Sequence, residues 1–244
     1  MLMSLPRRLF AEFLGTAALV MMVIGSGLMG QRLSADLGVV ILINQISTVL
    51  GLAVLVALLI PVSGAHINPA VTLVMTLRRE LPAGEGLSYG VMQLAGGVAG
   101  AVGAQAMFDL PLVEFSNNQR LTTGSFLGEV ISTAGLIAVI LTAVAQSKAD
   151  WLPLLVPAWI GAGFFATSST SFANPAVTVG RMFTDSFTGI AVESVLGFIA
   201  AQVLGALLGW LLVSLYYPTG LAREPQGEEA SRAAHTEHTA KEGP

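Results

Sequence analysis

The chain has 244 residues, of which 54% are hydrophobic and only 11% charged, with a mean hydropathy of +0.75. Water-soluble globular chains carry about 25% charged residues, so the composition excludes an ordinary soluble enzyme and points to an all-α protein embedded in a lipid bilayer. The absence of cysteine excludes thiol catalysis, cysteine-ligated zinc, iron–sulfur clusters and disulfides, and a net charge of −4, with much of the acidity in the C-terminal tail, leaves no basic surface for nucleic acid.

A helix needs roughly 20 mostly apolar residues to cross a bilayer. Stretches free of Asp, Glu, Lys and Arg place six spans near 9–29, 38–60, 87–108, 125–147, 152–167 and 190–215. The first could be a signal peptide, but no small-residue cleavage site followed by a soluble domain supports that reading. After the second and fifth spans the charge-free stretch runs on through a proline-containing segment to Arg78 and Arg181, longer than one crossing requires. Lys and Arg counts orient the chain in a cell membrane with both termini cytoplasmic: Arg7, Arg8, Arg78, Arg79, Lys148, Arg223, Arg232 and Lys241 fall inside, and Arg32, Arg120 and Arg181 outside. Residues 217–244 are polar and too poor in apolar side chains to order themselves, and read as a disordered cytoplasmic tail in which His235 and His238 are solvated.

Three features recur in the same order. Glu12-x-x-x-Thr16 returns as Glu129-x-x-x-Thr133, NPAVT at 68–72 returns at 174–178, and Gln93-x-x-Gly96-x-x-x-Gly100 returns as Gln202-x-x-Gly205-x-x-x-Gly209. Each unit holds three crossings, an odd number, so the second copy lies upside down relative to the first. The expected organisation is one channel domain over 1–216, built of repeats at about 8–108 and 124–216.

In each NPA segment Asn is a favoured helix N-cap and Pro a favoured first helical residue. Asn68-Pro69-Ala70 and Asn174-Pro175-Ala176 therefore begin helices near 69–77 and 175–183, each reaching only about 13 Å into a core of roughly 30 Å. Two such re-entrant half-helices from opposite faces meet at the midplane. There each Asn can cap its helix through the carbonyl and still offer amide donors to a passing solute, while the positive dipole ends disfavour cations. Non-helical backbone at this depth needs partners, which assigns Glu12 and Glu129 to loop support: each accepts hydrogen bonds from backbone N–H groups, or from His66, in its loop. The paired Gly residues read as helix-packing positions. No catalytic nucleophile, phosphate loop or metal cluster is recognisable, and no cofactor is implied. A secondary transporter also uses inverted repeats and broken helices and is the alternative, disfavoured because the meeting point offers two neutral amides rather than an ionisable site.

SGAHINPAVT at 63–72, the second NPA at 174–176, AEFLGT at 11–16 and Glu129 together resemble the major intrinsic protein family, the aquaporins and aquaglyceroporins. The resemblance implies six tilted helices plus two half-helices, a homotetramer with a pore in each subunit, and passive passage of water or small uncharged solutes. It also carries over an outer constriction formed by Thr48, Ala162, Ser171 and Val177, a one-residue shift selecting Gly163 in place of Ala162. The family's usual Arg is replaced by Val177, and none of the four positions holds an aromatic or His, so the expected constriction is wide, weakly polar and without a guanidinium. That pattern resembles the bacterial aquaglyceroporins associated with arsenic resistance, whose implied substrates are glycerol-like polyols, arsenite as As(OH)3 and methylated arsenicals.

Overall fold

The computed structural model describes residues 3–217; the tail expected beyond Tyr217 lies outside them. Six long helices are α1 (Leu5–Leu33), α2 (Leu37–Ser63), α4 (Ala83–Met107), α5 (Thr123–Ala145), α6 (Leu152–Ala166, preceded by a 3-10 turn at Ala149–Trp151) and α8 (Val192–Tyr216). Two short ones, α3 (Pro69–Leu77) and α7 (Pro175–Arg181), follow α2 and α6. All six long elements, the turn before α6 included, are long and apolar enough to cross a membrane. Local chemistry sets their ends: the Asp36 carboxylate caps α2 through the N–H groups of Gly38 and Val39, Gly64 at φ 89° stops it, and Thr122 and Ser125 form a capping box at the start of α5.

The helices pair as the repeat demands, α1 against α4 and α5 against α8. Glycine makes both pairings possible. A Cβ on Gly96 or Gly100 would collide with the carbonyl oxygens of Phe13 and Ala17, and one on Gly205 or Gly209 with those of Val130 and Ala134. Any larger residue would push the backbones apart. The second half-helix comes as close, since Gly97 and Gly180 face each other where α4 meets α7. Apolar side chains cover the outside of the bundle, with Leu42, Leu50, Leu58, Leu154 and Leu196 all exposed, as a protein solvated by lipid requires.

Candidate functional site

Both re-entrant loops are built alike. Ile67 (φ 38°) and Ala173 (φ 45°), each just before its Asn, and Ala65 (φ 51°) and Ser171 (φ 48°), each three before it, have left-handed backbone. For a β-branched residue such as Ile67 this costs about 1–3 kcal/mol. The compensation is a buried carboxylate beneath each loop. Glu12 accepts from the backbone N–H groups of His66 (3.0 Å) and Ile67 (2.6 Å), from Ser63 Oγ (2.6 Å) and from Gln93 Nε2 (2.7 Å). Glu129 accepts from Phe172 N–H and Ala173 N–H, both at 2.9 Å, and from Gln202 Nε2 at 2.6 Å. The same glutamines also donate to Thr72 and Thr178 of the half-helices. It is the backbone of His66, not its ring, that reaches Glu12. The imidazole lies 3.1 Å from Thr72 Oγ1, packs near Tyr89 and faces the cavity.

Asn68 Oδ1 accepts from Ala70 N–H and Asn174 Oδ1 from Ala176 N–H, each at 2.9 Å. Their amide groups cross the midplane, Asn68 Nδ2 donating to Ala173 O (2.7 Å) and Asn174 Nδ2 to Ile67 O (2.9 Å). Each –NH2 carries two hydrogens, so one is committed to the opposite loop and one remains. Both Asn residues, but neither Pro nor Ala of either motif, line the cavity.

That cavity, about 400 Å³, runs from Arg8 and Glu80, at the face where α1 begins, past both Asn residues to Asn44, Phe164 and Arg181 at the opposite face. One wall is apolar and regular: Thr48, Leu52, Val56 and Ile60 of α2, and Leu152, Val156, Ile160 and Phe164 of α6, all at the four-residue spacing that keeps one helix face. The facing wall is polar, formed by loop backbone, His66, the two Asn residues, and Thr170 and Ser171, whose hydroxyls have no partner among the described residues.

Of the four residues carried over for the constriction, Thr48, Ser171 and Val177 line this cavity. Ala162 does not: it is exposed on the outside of α6, two residues and so roughly 200° around the helix from Ile160. Counting back from Asn174 crosses the non-helical stretch 167–173, which does not preserve helix phase. Gly163 is the buried neighbour, where an added Cβ would lie 2.8 Å from Ser171 Oγ. The mouth is not free of aromatics, because Phe164 and Phe172 line it, nor of a guanidinium. Arg181, expected in an outer connection, is only 4% exposed and faces the cavity one helical turn beyond Val177. Its Nε donates to Thr188 O, and its guanidinium lies 3.5 Å from the Phe172 ring centroid. Phe164 continues the stride of Leu152, Val156 and Ile160, and Arg181 stands four residues after Val177, so both were open to a count of helix phase. Around this mouth the connections are tied together: Arg120 donates to Gly189 O and Phe187 O, and Asp185 accepts from Asn117 N–H and Nδ2. Those bonds hold the Asp185 carboxyl below its ordinary pKa.

A two-faced cavity crossing a six-span helical bundle, lined by the capping Asn of each of two half-helices, defines a membrane channel rather than an enzyme. The Major intrinsic protein family model matches residues 2–173, and the chain belongs to that family. Over 214 residues, 86% of this chain and 91% of the relative, it is 43% identical to aquaglyceroporin AqpS of Rhizobium meliloti. It is 29% identical to the glycerol uptake facilitator protein of Pseudomonas aeruginosa, over 95% of this chain and 97% of that one. The fold matches the X-ray structure of the aquaglyceroporin from Plasmodium falciparum with a TM-score of 0.63, at 23% identity, covering 88% of this chain and 97% of that one.

Proposed function

We propose that residues 1–216 form one channel domain, with repeats at about 8–108 and 124–216, that passes small uncharged hydroxylated solutes down their gradients. The observation that carries this reading is the division of the cavity into an apolar wall and a polar wall. A polyol lays its C–H edge along Leu52, Val56, Ile160 and Phe164 while its hydroxyls meet His66, Asn68, Asn174 and Ser171. Water alone has no use for the apolar wall, and an ion finds too few ligands. Neutral As(OH)3 presents hydroxyls of similar reach, and with Gly163, Thr48, Ser171 and Val177 at the mouth there is room for methylated arsenicals.

Four copies assemble around uncovered apolar faces, those of α2 and the α6 span, the least buried crossings. Both termini lie in the cytoplasm of a cell-membrane protein. Arg8, Arg78, Arg79 and Lys148 share one face, whereas on the opposite face Arg120 and Arg181 are turned inward and Arg32 donates to Phe108 O.

The test is stopped-flow light scattering on vesicles reconstituted with the full chain, with glycerol, larger polyols, As(OH)3 and water measured in parallel. Flux follows each gradient without ion gradients, and glycerol and As(OH)3 pass faster than through protein-free vesicles. Accumulation of solute against its gradient, driven by protons or sodium, would overturn the proposal.

A further inference from the structure

The residue that stands seven places after Asn68 in the first repeat is Met75; the one seven places after Asn174 in the second is Arg181. Both line the cavity. Equivalent lumen positions thus carry a thioether at one mouth and a guanidinium at the other.

The surroundings of Arg181 are unusual for a buried cation. Among the described residues no carboxylate pairs with it, and its one hydrogen bond runs from Nε to Thr188 O, leaving the Nη1 and Nη2 groups without a protein acceptor. Glu129 directs its oxygens at the loop backbone and Gln202 instead. On the far flank, the Arg120 guanidinium lies 5.7 Å from the same Phe172 ring, adding a second positive charge rather than a counter-ion. Burying an unpaired charge is costly, and the structure meets that cost with the face of Phe172, an attraction of cation for π-electrons. Phe172 is fixed in turn by an edge contact with Phe198, and its N–H by Glu129.

Stacked on that ring, the guanidinium rests against the wall of the mouth while its field still reaches the lumen through a low-dielectric surround. A charge in such a place raises the local energy of every permeating cation. An arginine at position 177 would do this and also fill the lumen; one at 181, on a wall, does it without narrowing the lumen beside Val177.

We infer that Arg181 is the cation-excluding residue of this mouth, so that charge selection and size selection are made by different residues, Arg181 and the small side chains of Thr48, Ser171 and Val177. The inference rests on the neutral-solute reading, and its test is separable from that reading.

The experiment uses full-length protein in vesicles holding a potassium gradient, with decay of the gradient read by a voltage-sensitive dye and glycerol flux read by light scattering on the same preparation. Arg181→Met copies the first repeat's residue at the matching position and is expected to raise the ratio of potassium leak to glycerol flux on the order of tenfold or more. Arg181→Lys, which keeps the charge, stays well below that. Should Arg181→Met fail to reach the membrane, Val177→Glu decides: it leaves the anchors of Arg181 in place and sets a carboxylate one turn away on the same helix face, where it neutralises the guanidinium. Val177→Glu then leaks potassium relative to Val177→Gln, which alters polarity without charge. The inference is overturned if Arg181→Met, or in its absence Val177→Glu, holds the gradient as the wild type does. If the wild type passes no glycerol, the neutral-solute reading fails, while the potassium arm still reads Arg181 by itself.

Discussion

The two repeats are near copies at the midplane and part company at the mouths. Glu12, Gln93 and Thr72 form one linked set under the first loop, and Glu129, Gln202 and Thr178 form the same set under the second. At the face where the chain begins, the cations near the cavity are neutralised, Arg8 by Glu85 at 2.9 Å and Arg78 by Glu80 at 2.7 Å. At the opposite face Arg181 and Arg120 have no acid partner among the described residues. The loops hold a meeting point whose chemistry is indifferent to direction, so the sequence changes little there. The mouths face different solutions, and there the two copies have diverged.

The match at the midplane breaks most severely when the carboxylates are removed. Glu12→Ala strands buried donors at His66, Ile67, Ser63 and Gln93, and Glu129→Ala strands those at Phe172, Ala173 and Gln202; each stranded group costs about 1–3 kcal/mol. Both variants are expected to lose most of their yield of folded protein, and to a similar degree, because each carboxylate holds its loop in the same way. Size-exclusion yield and thermal unfolding in detergent measure this, and a Glu129→Ala protein as stable as wild type would show that the two loops are not held alike.

A smaller effect sharpens the difference at the mouths. Val177→Arg sets a second guanidinium one turn from Arg181 on the same face, where like charges repel. The added bulk narrows the lumen, so larger polyols and methylated arsenicals are cut more than glycerol or water, and Thr48→Phe added to it deepens the cut from the opposite wall. Equal scaling of every flux would remove Val177 from the constriction.

The mildest pair separates neighbours on α6. Gly163→Ala presses a methyl against Ser171 Oγ and should slow the largest neutral solutes by about tenfold, the lower end of what one methylene in a pocket is worth. Ala162→Val, pointing outward, should leave the size series where it was. The reverse result, read in the same swelling assay, would restore Ala162 to the lumen.

How much of this was legible follows from what a sequence encodes locally. The spans show as charge-free runs, and the half-helices begin at Pro69 and Pro175 because Asn-Pro caps and starts a helix whatever surrounds it. The upside-down repeat shows in matched motifs and an odd number of crossings. Ala162 was misplaced because helix phase is lost over the irregular stretch before Asn174. Arg181 closes an apolar run, where a cation ordinarily marks the water interface; what keeps it inside is Phe172, nine residues earlier, and a carbonyl seven residues later. Neither partner has a signature in one dimension. The crossing amides of Asn68 and Asn174 were invisible for the same reason, since their acceptors stand 105 and 107 residues away.

Those crossing amides also impose an order on biogenesis. Ribosomes add roughly 5–20 residues per second, so the Asn68 amide emerges about 5–20 s before the carbonyl of Ala173 that it will bond. For that interval the first loop has the carboxylate of Glu12 but neither of the bonds that cross from the second loop. A nascent chain ending at Ala149 should therefore label faster than the completed chain at a cysteine replacing Ile67, when both are exposed to a water-soluble maleimide. Closure of the first loop is timed by synthesis of the second, and the newborn half-channel must be sheltered from lipid until its inverted twin arrives.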